Sequence, residues 1–593
     1  MKINTSSRKS LIKYYIIVLA IVVVQILFLS MIFNQRDGHH SDEVYNYGFA
    51  NSYNENDFLG TSYLNQWTDS SIAKGFITVS NDQRFAYDAV YNNTVYELNP
   101  PFQIFILHTL CSFFPEKFSW NYCFAINIFS FIITQFFLFA LTRELTGDTI
   151  VSFATVILYG FGVGAMDIAI FMRIYALAVM FSVIFIYYSH KIYKNRYEKN
   201  FFYEYLILFL SCLLGCYTLH LFLFYAFCIT ACYSIFFLLT KTFKKLFAHG
   251  FTVLGAALLS IILVPSTISH IEGTDGLSVG MIKYPTNMQI RLYLYLMTKD
   301  LFGLHISAFP NPYLEYCLIF LVVLIVMSIP LFYLFRKEEW FKRFLFNLKN
   351  WFIDRLKRIK KIQFSLIVYL LTVISVVIFA SDQTSIYTMG VYSNRYLFII
   401  YPTVVLFSVC VLYLGLKLIK DNNTFKNIIA IIILTLAFVF AVWSQIIPKS
   451  SDYLFIHDKE GVSFDKMETG SNVIIMLGQD WKIVCFAPDL IDTSAYYFTD
   501  FSCFKDNKDI FENVDRSKPM YLIIDNKFIL SDDVTIEELE NDPIYSSWAS
   551  LSYHEGDLIN YYSSLNYVDS IEKVGKDQQM NTTFYIYKVY FNG

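Results

Sequence analysis

Apolar residues in this chain come in long runs rather than in the short alternations of a soluble fold. Stretches of about 20 residues with few charges recur, each long enough to cross roughly 30 Å of hydrocarbon as a helix. They predict spans at 14–33, 119–141, 149–165, 171–189, 203–219, 221–239, 250–267, 314–335, 364–381, 396–416 and 427–446. Two divisions rest on length. Thr149 to Ser189 and Tyr203 to Leu239 are too long for one crossing and too apolar for loops. At 1.5 Å per residue each reaches about 55–60 Å, close to two bilayer cores, so each predicts a helical hairpin. Gly160, Gly162 and Gly164 mark the first turn, and the second falls near His220.

After the last run the texture changes. Asn472–Met476, Lys482–Phe486, Met520–Ile524 and Thr583–Tyr590 are short, β-branched or aromatic, and bounded by polar turns, which reads as strands. With a helical stretch at Val534–Glu540 they predict a small α/β domain. The division is therefore a membrane domain over 1–446, with large outer loops at 34–119 and 267–313, and an extracytoplasmic α/β domain over 447–593.

Composition agrees with the pattern. Apolar residues make up 55% of the 593 positions and charged residues 16%, where a soluble domain carries about 25% charged residues. The fold class is a polytopic α-helical membrane protein of about eleven transmembrane helices. A net charge of -3 says little, because in a membrane protein the placement of Lys and Arg carries the information, and with no basic stripe the chain is not expected to bind nucleic acid. The first run follows Lys2, Arg8, Lys9 and Lys13 like a signal peptide, but it is longer than an h-region, and Asn34, Gln35 and Arg36 offer no cleavage site, so it reads as a retained span.

Basic residues orient the chain. With the N-terminus cytoplasmic, Lys191, Lys194, Arg196, Lys199, Lys241, Lys244, Lys245, Lys417, Lys420, Lys426 and the stretch from Arg336 to Lys361 all fall inside. An odd number of spans then exports the C-terminal domain. Most of the ten cysteines lie within apolar runs; Cys212/Cys216 and Cys228/Cys232 share helix faces and read as small packing residues. Cys485 and Cys503, in the exported part, allow a disulfide.

Ionisable groups beside a bilayer are costly unless paired or wet, so those near the outer boundary are the informative ones. They are His39, His40, Asp42 and Glu43 after the first span, Asp167 and Arg173 around the first hairpin turn, His220 at the second, and Arg395 opening the tenth span. Each has an ordinary reading as solvated surface, helix cap, interfacial anchor or packing residue. Together they bring acid, base and cation to one face, as a site for a charged, lipid-linked substrate requires.

Five segments carry a resemblance: Asp42-Glu43-Val44-Tyr45 after the first span, Asn99-Pro100-Pro101-Phe102 followed by His108, Met172-Arg173-Ile174-Tyr175-Ala176-Leu177, Tyr217-Thr218-Leu219-His220, and Arg395-Tyr396-Leu397 followed by Pro402. In this order the chain resembles bacterial GT-C glycosyltransferases (family 39-like), the polytopic enzymes similar to protein mannosyltransferases and lipid A aminoarabinose transferases. The match covers roughly Met1 to Pro448. It departs from the family where His-Pro-Pro is replaced by Asn99-Pro100-Pro101 and where Leu219 separates Thr218 from His220. The resemblance implies short surface helices in the first outer loop and transfer of a hexosyl or pentosyl group from a polyprenyl-phosphate donor to an extracytoplasmic glycan, lipid or protein.

The chemistry assigns roles. An acceptor hydroxyl is a poor nucleophile and needs a carboxylate within hydrogen-bond reach. Asp42 is the first candidate for that base, with Glu43 orienting the acceptor or holding a cation. The departing phosphate needs charge stabilisation, which suits the guanidinium groups of Arg173 and Arg395, with Lys283 as a further cation. Asp167, His220, His108 and Tyr396 are the remaining site candidates. His39, His40, Asp42 and His220 together have the donor chemistry of a divalent metal site, though no pair has diagnostic spacing. Direct attack predicts inversion at the anomeric carbon. A transporter or flippase of lipid-linked sugars is the alternative; it predicts internal repeats and midplane polar sites, which the sequence lacks.

Overall fold

The computed structural model describes residues 5–36, 38–53, 63–96, 100–198, 201–265, 267–268, 285–303, 339, 364–383, 391–417, 423–446, 453–456, 460–478, 480–500, 510, 514–530, 534–541, 552–579 and 582–592. In chain order the helices begin with α1 (Thr5–Asn34), α2 (Ser41–Asn51), α3 (Ser70–Ile77), α4 (Tyr87–Tyr96), α5 (Phe102–Phe113) and α6 (Asn121–Thr146). There follow α7 (Thr149–Gly160), α8 (Val163–Ile170), α9 (Tyr175–Lys194), α10 (Phe202–Cys216), α11 (Leu221–Leu239) and α12 (Phe243–Leu263). The series continues with α13 (Thr286–Phe302), α14 (Phe364–Gln383), a 3₁₀ segment at Val391–Ile400, α15 (Tyr401–Lys417) and α16 (Asn423–Ile446).

Among the described residues eight helices are long and apolar enough to cross a membrane, or nine if α7 and α8 form one broken span. The chain is a multi-pass membrane protein. Of the other expected spans, 203–219 yields the shorter helix α10, and 314–335 lies outside the described residues. The glycine-rich stretch is a correction. It bends α7 into α8 by 57° rather than reversing the chain, and a further break in the helix follows at Phe171–Ile174. The bend frees backbone groups that side chains take up: Ser444 Oγ donates to Phe161 O at 2.8 Å, and Gln25 Nε2 to Val156 O at 3.0 Å. A Cβ at Gly160 would lie 2.2 Å from Gln135 Nε2 and 2.3 Å from Gln25 Nε2, which is why glycine stands there. The second predicted turn holds, with residues 217–220 joining α10 to α11.

The chain folds into two compact units: Met1–Met31, Asn127–Ile170 and Ile174–Leu454 make up one, and Ile32–Ile126, Phe171–Arg173 and Phe455–Gly593 the other. The first is all helical among its described residues. One side of α12 leaves Phe247, Phe251, Leu254, Leu258 and Ile262 exposed at helical spacing while His249, Val253, Ala256 and Ser260 are buried, the division expected of a helix between hydrocarbon and protein.

The second unit holds a seven-stranded sheet in the order β1-β4-β3-β5-β9-β8-β2. The strands are β1 (Trp67–Asp69), β2 (Glu460–Gly461), β3 (Asn472–Met476), β4 (Ala495–Thr499), β5 (Met520–Asp525), β8 (Val568–Gln579) and β9 (Thr582–Phe591); β6 (Ile529–Leu530) and β7 (Tyr553–His554) pair separately. Within the seven-stranded sheet β3 runs parallel to β4 and β5 and the other pairs are antiparallel, while β6 and β7 pair in parallel. Every residue of β3 is buried, as suits a parallel strand covered on both faces. The first loop supplies the edge strand: β1 pairs Trp67 with Tyr497, and Trp67 Nε1 donates to Ile510 O at 2.6 Å. The β-branched run Lys482–Phe486 is a 3₁₀ segment, Asp480–Phe486, and not a strand. Its apolar side chains are buried by tertiary packing, with Phe486 edge-on to Phe464 and Phe584. Burial and packing, more than backbone preference, drive strand propensity, and here they are satisfied without a ladder.

Candidate active site

Helix α2 starts two residues before the predicted base's neighbour and is built to hold its first turn rigidly. His40 is the N-cap: its Nδ1 accepts the Asp42 N–H at 3.1 Å, while Glu43 Oε2 accepts the His40 N–H at 2.7 Å, closing a capping box. Asp42 and Glu43 thus sit in the first turn, where the helix's orphan N–H groups favour negative charge.

The two acids then part. Glu43 is fully enclosed: besides His40 N–H it accepts the Met172 N–H at 2.6 Å through Oε1 and pairs with the Arg36 guanidinium. Burial pushes its carboxyl above the ordinary range, against the pull of Arg36 and the two backbone donors. Asp42 keeps 30% of its side chain exposed. Arg173 Nη2 lies 3.8 Å from Asp42 Oδ2, and Arg173 Nη1 donates to Asp42 O at 3.1 Å and to Asn46 Oδ1. Asn46 in turn donates to Met172 O at 3.1 Å and Gln103 Oε1 at 3.0 Å, so α2, α5 and Phe171–Arg173 are tied through one amide. Close packing reinforces this, since a Cβ at Gly48 would lie 2.1 Å from the ring of Phe76.

His39 faces the sheet-bearing part of the same unit. Its Nε2–H donates to Cys485 O, its ring is tilted against Trp120 at 5.3 Å, and burial, helped by the Arg36 charge, pulls its pKa down to about 3. The Arg36 guanidinium lies over Trp120 and Phe455 at 5.0 and 4.6 Å. Among the described residues no group of three or more His, Cys, Asp or Glu is placed to hold a metal ion. His39 Nε2 and His40 Nδ1 are engaged within the fold, and His39, His40 and Asp42 are not grouped as a ligand set.

The remaining candidates separate. His108 is buried on α5, 3.4 Å from Ser112 Oγ and edge-on to Tyr87, with burial lowering its pKa. In the helical unit Asp167 lies inside α8, where it accepts the Leu454 N–H at 2.9 Å, and His220 is the N-cap of α11. Arg395 is half-buried in the 3₁₀ segment, donating to Tyr396 OH at 3.3 Å with its guanidinium 5.2 Å from that ring. Lys283, Asn99 and Cys503 lie outside the described residues. Sequence reasoning passed over Arg36, Asn46 and Gln103, and in the helical unit Asp300, whose Oδ2 accepts from Asn394 Nδ2 and Tyr401 OH. Arg36 had a signal: an arginine at the end of a span, seven positions before Glu43, has a carboxylate within reach of one short connection.

No protein-family model matches the sequence, and no characterised protein matches it by sequence. Among solved structures the chain is similar to ArnT from Cupriavidus metallidurans in the apo state, over 97% of this chain and 98% of that one, at 7% identity and a TM-score of 0.45. It is similar to the same protein bound to undecaprenyl phosphate over 96% and 97%, at 8% identity and 0.45. An oligosaccharyltransferase from Archaeoglobus fulgidus, in complex with zinc and sulfate, is similar over 90% of this chain and 70% of that one, at 14% identity and 0.39.

Proposed function

We propose that this chain is an integral membrane glycosyltransferase of the GT-C type, transferring a sugar from a polyprenyl-phosphate donor to an extracytoplasmic acceptor. The observation that carries the reading is the division of the acidic pair. Glu43 is consumed in holding the fold, while Asp42 presents a part-exposed carboxylate on a braced helical turn beside a buried arginine. That is the arrangement a general base needs: fixed in position yet open to a substrate.

In the proposed reaction the Asp42 carboxylate takes the proton of the acceptor hydroxyl as its oxygen bonds to the anomeric carbon. The bond from that carbon to the phosphate oxygen breaks, and polyprenyl phosphate leaves with the electron pair. Attack opposite to the leaving group inverts the anomeric centre. Arg173, bonded to Asp42 O and Asn46 Oδ1, is assigned to orienting the base. Stabilisation of the departing phosphate is assigned to Arg395 on its chemistry and its place in the sequence pattern. The N-terminus is placed in the cytoplasm, and the sheet-bearing residues outside, on the distribution of Lys and Arg.

The test is transfer by purified full-length protein from synthetic polyprenyl-phosphate sugars to a panel of acceptors, comparing wild type, Asp42→Asn and Arg395→Ala. Consumption of donor by wild type and its loss in the first variant support the reading. Folded protein that consumes no donor, or moves it across vesicles unconsumed, overturns it.

A further inference from the structure

We infer that Asp300 is a positioning residue for Arg395. The inference rests on the assignment of Arg395 to the donor phosphate. It starts from an irregularity: Val391–Ile400 is a 3₁₀ helix of ten residues, whereas 3₁₀ runs beyond about three or four residues are uncommon because their hydrogen bonds are poorly aligned. Such a segment needs support from outside, and it carries both Arg395 and Tyr396.

Part of that support comes from one carboxylate oxygen. Asp300 Oδ2 accepts from Asn394 Nδ2 at 2.8 Å and from Tyr401 OH at 2.7 Å. Asn394 immediately precedes Arg395, and Tyr401 is the first residue of α15, where the backbone returns to regular helix. A single atom thus ties the segment near its start to the residue just beyond its end, with Arg395 between. All three side chains are buried, so both bonds are shielded from water. Asp300 lies in the last turn of α13, which stops at Gly303 in the left-handed conformation with its N–H on Lys299 O at 2.9 Å.

The neighbouring helix leaves room for the clamp. A Cβ at Gly164 of α8 would lie 2.7 Å from the Tyr401 ring and 3.1 Å from Asp300 Cβ. A second contact holds the same segment farther along, where Ser182 Oγ donates to Ile399 O at 3.2 Å. Losing the Asp300 bonds therefore frees the Asn394 end first, which is the end that sets the Arg395 guanidinium.

The experiment is binding of undecaprenyl phosphate to detergent-purified full-length protein, read by tryptophan fluorescence, for Arg395→Ala, Asp300→Ala, Asp300→Asn, Tyr401→Phe and the Arg395→Ala/Asp300→Ala double variant. Arg395→Ala is expected to weaken binding about tenfold or more, and Asp300→Ala and Tyr401→Phe about three- to tenfold. Asp300→Asn keeps an acceptor oxygen and is expected to lose less than Asp300→Ala. The double variant should bind no more weakly than Arg395→Ala alone, because Asp300 acts through the arginine. Tyr401→Phe removes only a hydroxyl, so it decides the matter if Asp300→Ala does not fold. Losses that multiply in the double variant, or wild-type affinity in both Asp300→Ala and Tyr401→Phe beside a weakened Arg395→Ala, overturn the positioning role. Wild-type affinity in Arg395→Ala overturns the phosphate assignment and the inference with it.

Discussion

Glu43 reaches 129 positions along the chain to accept the backbone N–H of Met172 at 2.6 Å, and this bond fixes Arg173, the next residue, beside Asp42. The same carboxylate is paired with Arg36 and closes the α2 cap, so its removal leaves a buried guanidinium and two backbone donors unmatched. Breaking a buried pair from one side costs about 3–5 kcal/mol. Glu43→Ala is therefore expected to lower the unfolding temperature of the detergent-solubilised protein sharply, and Arg36→Ala to do the same. Removing both should cost less than the sum, since neither then leaves a buried charge. Strict additivity in a double-mutant cycle would show that the pair is not coupled.

Asp42 should behave in the opposite way. Its carboxylate is part-exposed and its side chain contributes little enclosed area, so Asp42→Asn is expected to unfold within a degree or two of wild type. Transfer should nonetheless fall by roughly 10²–10⁴, the range set by loss of a positioned general base. A single-turnover assay with saturating donor measures this directly. An Asp42→Asn protein that keeps a tenth or more of wild-type turnover would remove Asp42 from the role of base.

Much of the framework was legible in the sequence because hydropathy reports the solvent directly. Eight of the expected spans correspond to helices long and apolar enough to cross the bilayer. The glycine-rich bend was misread as a turn because Gly160 signals close approach as readily as chain reversal; what decides between them is the pair of buried amides of Gln25 and Gln135, which no local pattern reveals. The strand assigned to Lys482–Phe486 failed for a related reason: its apolar residues are buried by Phe464 and Phe584, not by strand neighbours. The acidic pair was visible, but the different environments of Asp42 and Glu43 were not. That difference depends on Arg36 and on the Met172 backbone, contacts set by tertiary structure alone.

His39 gives the sheet-bearing unit a pH dependence with a definite sign. Its pKa is about 3 in the fold against about 6.5 in an unfolded chain. Between those values the unfolded state binds a proton that the folded state refuses, so stability is full above about pH 6.5 and falls as the medium is acidified. At pH 5 the loss from this one group amounts to about 2 kcal/mol. His39→Gln keeps an N–H for the Cys485 carbonyl and has no titrating ring. Comparing unfolding temperatures at pH 7 and pH 5 should show a smaller drop in the variant; equal drops would assign the acid sensitivity elsewhere.

Two glycines make a matched test of how rigid their surroundings are. At Gly48 an added Cβ meets three ring atoms of Phe76 between 2.1 and 2.7 Å, and that ring is itself buried on α3. At Gly160 it meets the amide ends of Gln25 and Gln135, at 2.2 to 2.5 Å. A buried ring cannot step aside without moving its helix, whereas a glutamine amide swings about its own χ angles. Gly48→Ala is therefore expected to cost about 1–3 kcal/mol, the usual range for forcing extra atoms into a packed site. It should also reduce transfer, because α2 carries Asp42. Gly160→Ala is expected to cost less, part of the strain being offset by better helix propensity at the end of α7. Thermal unfolding and transfer rates of the two variants, measured side by side, test the order, and a more damaging Gly160→Ala would mean that the two amides are held as firmly as the ring.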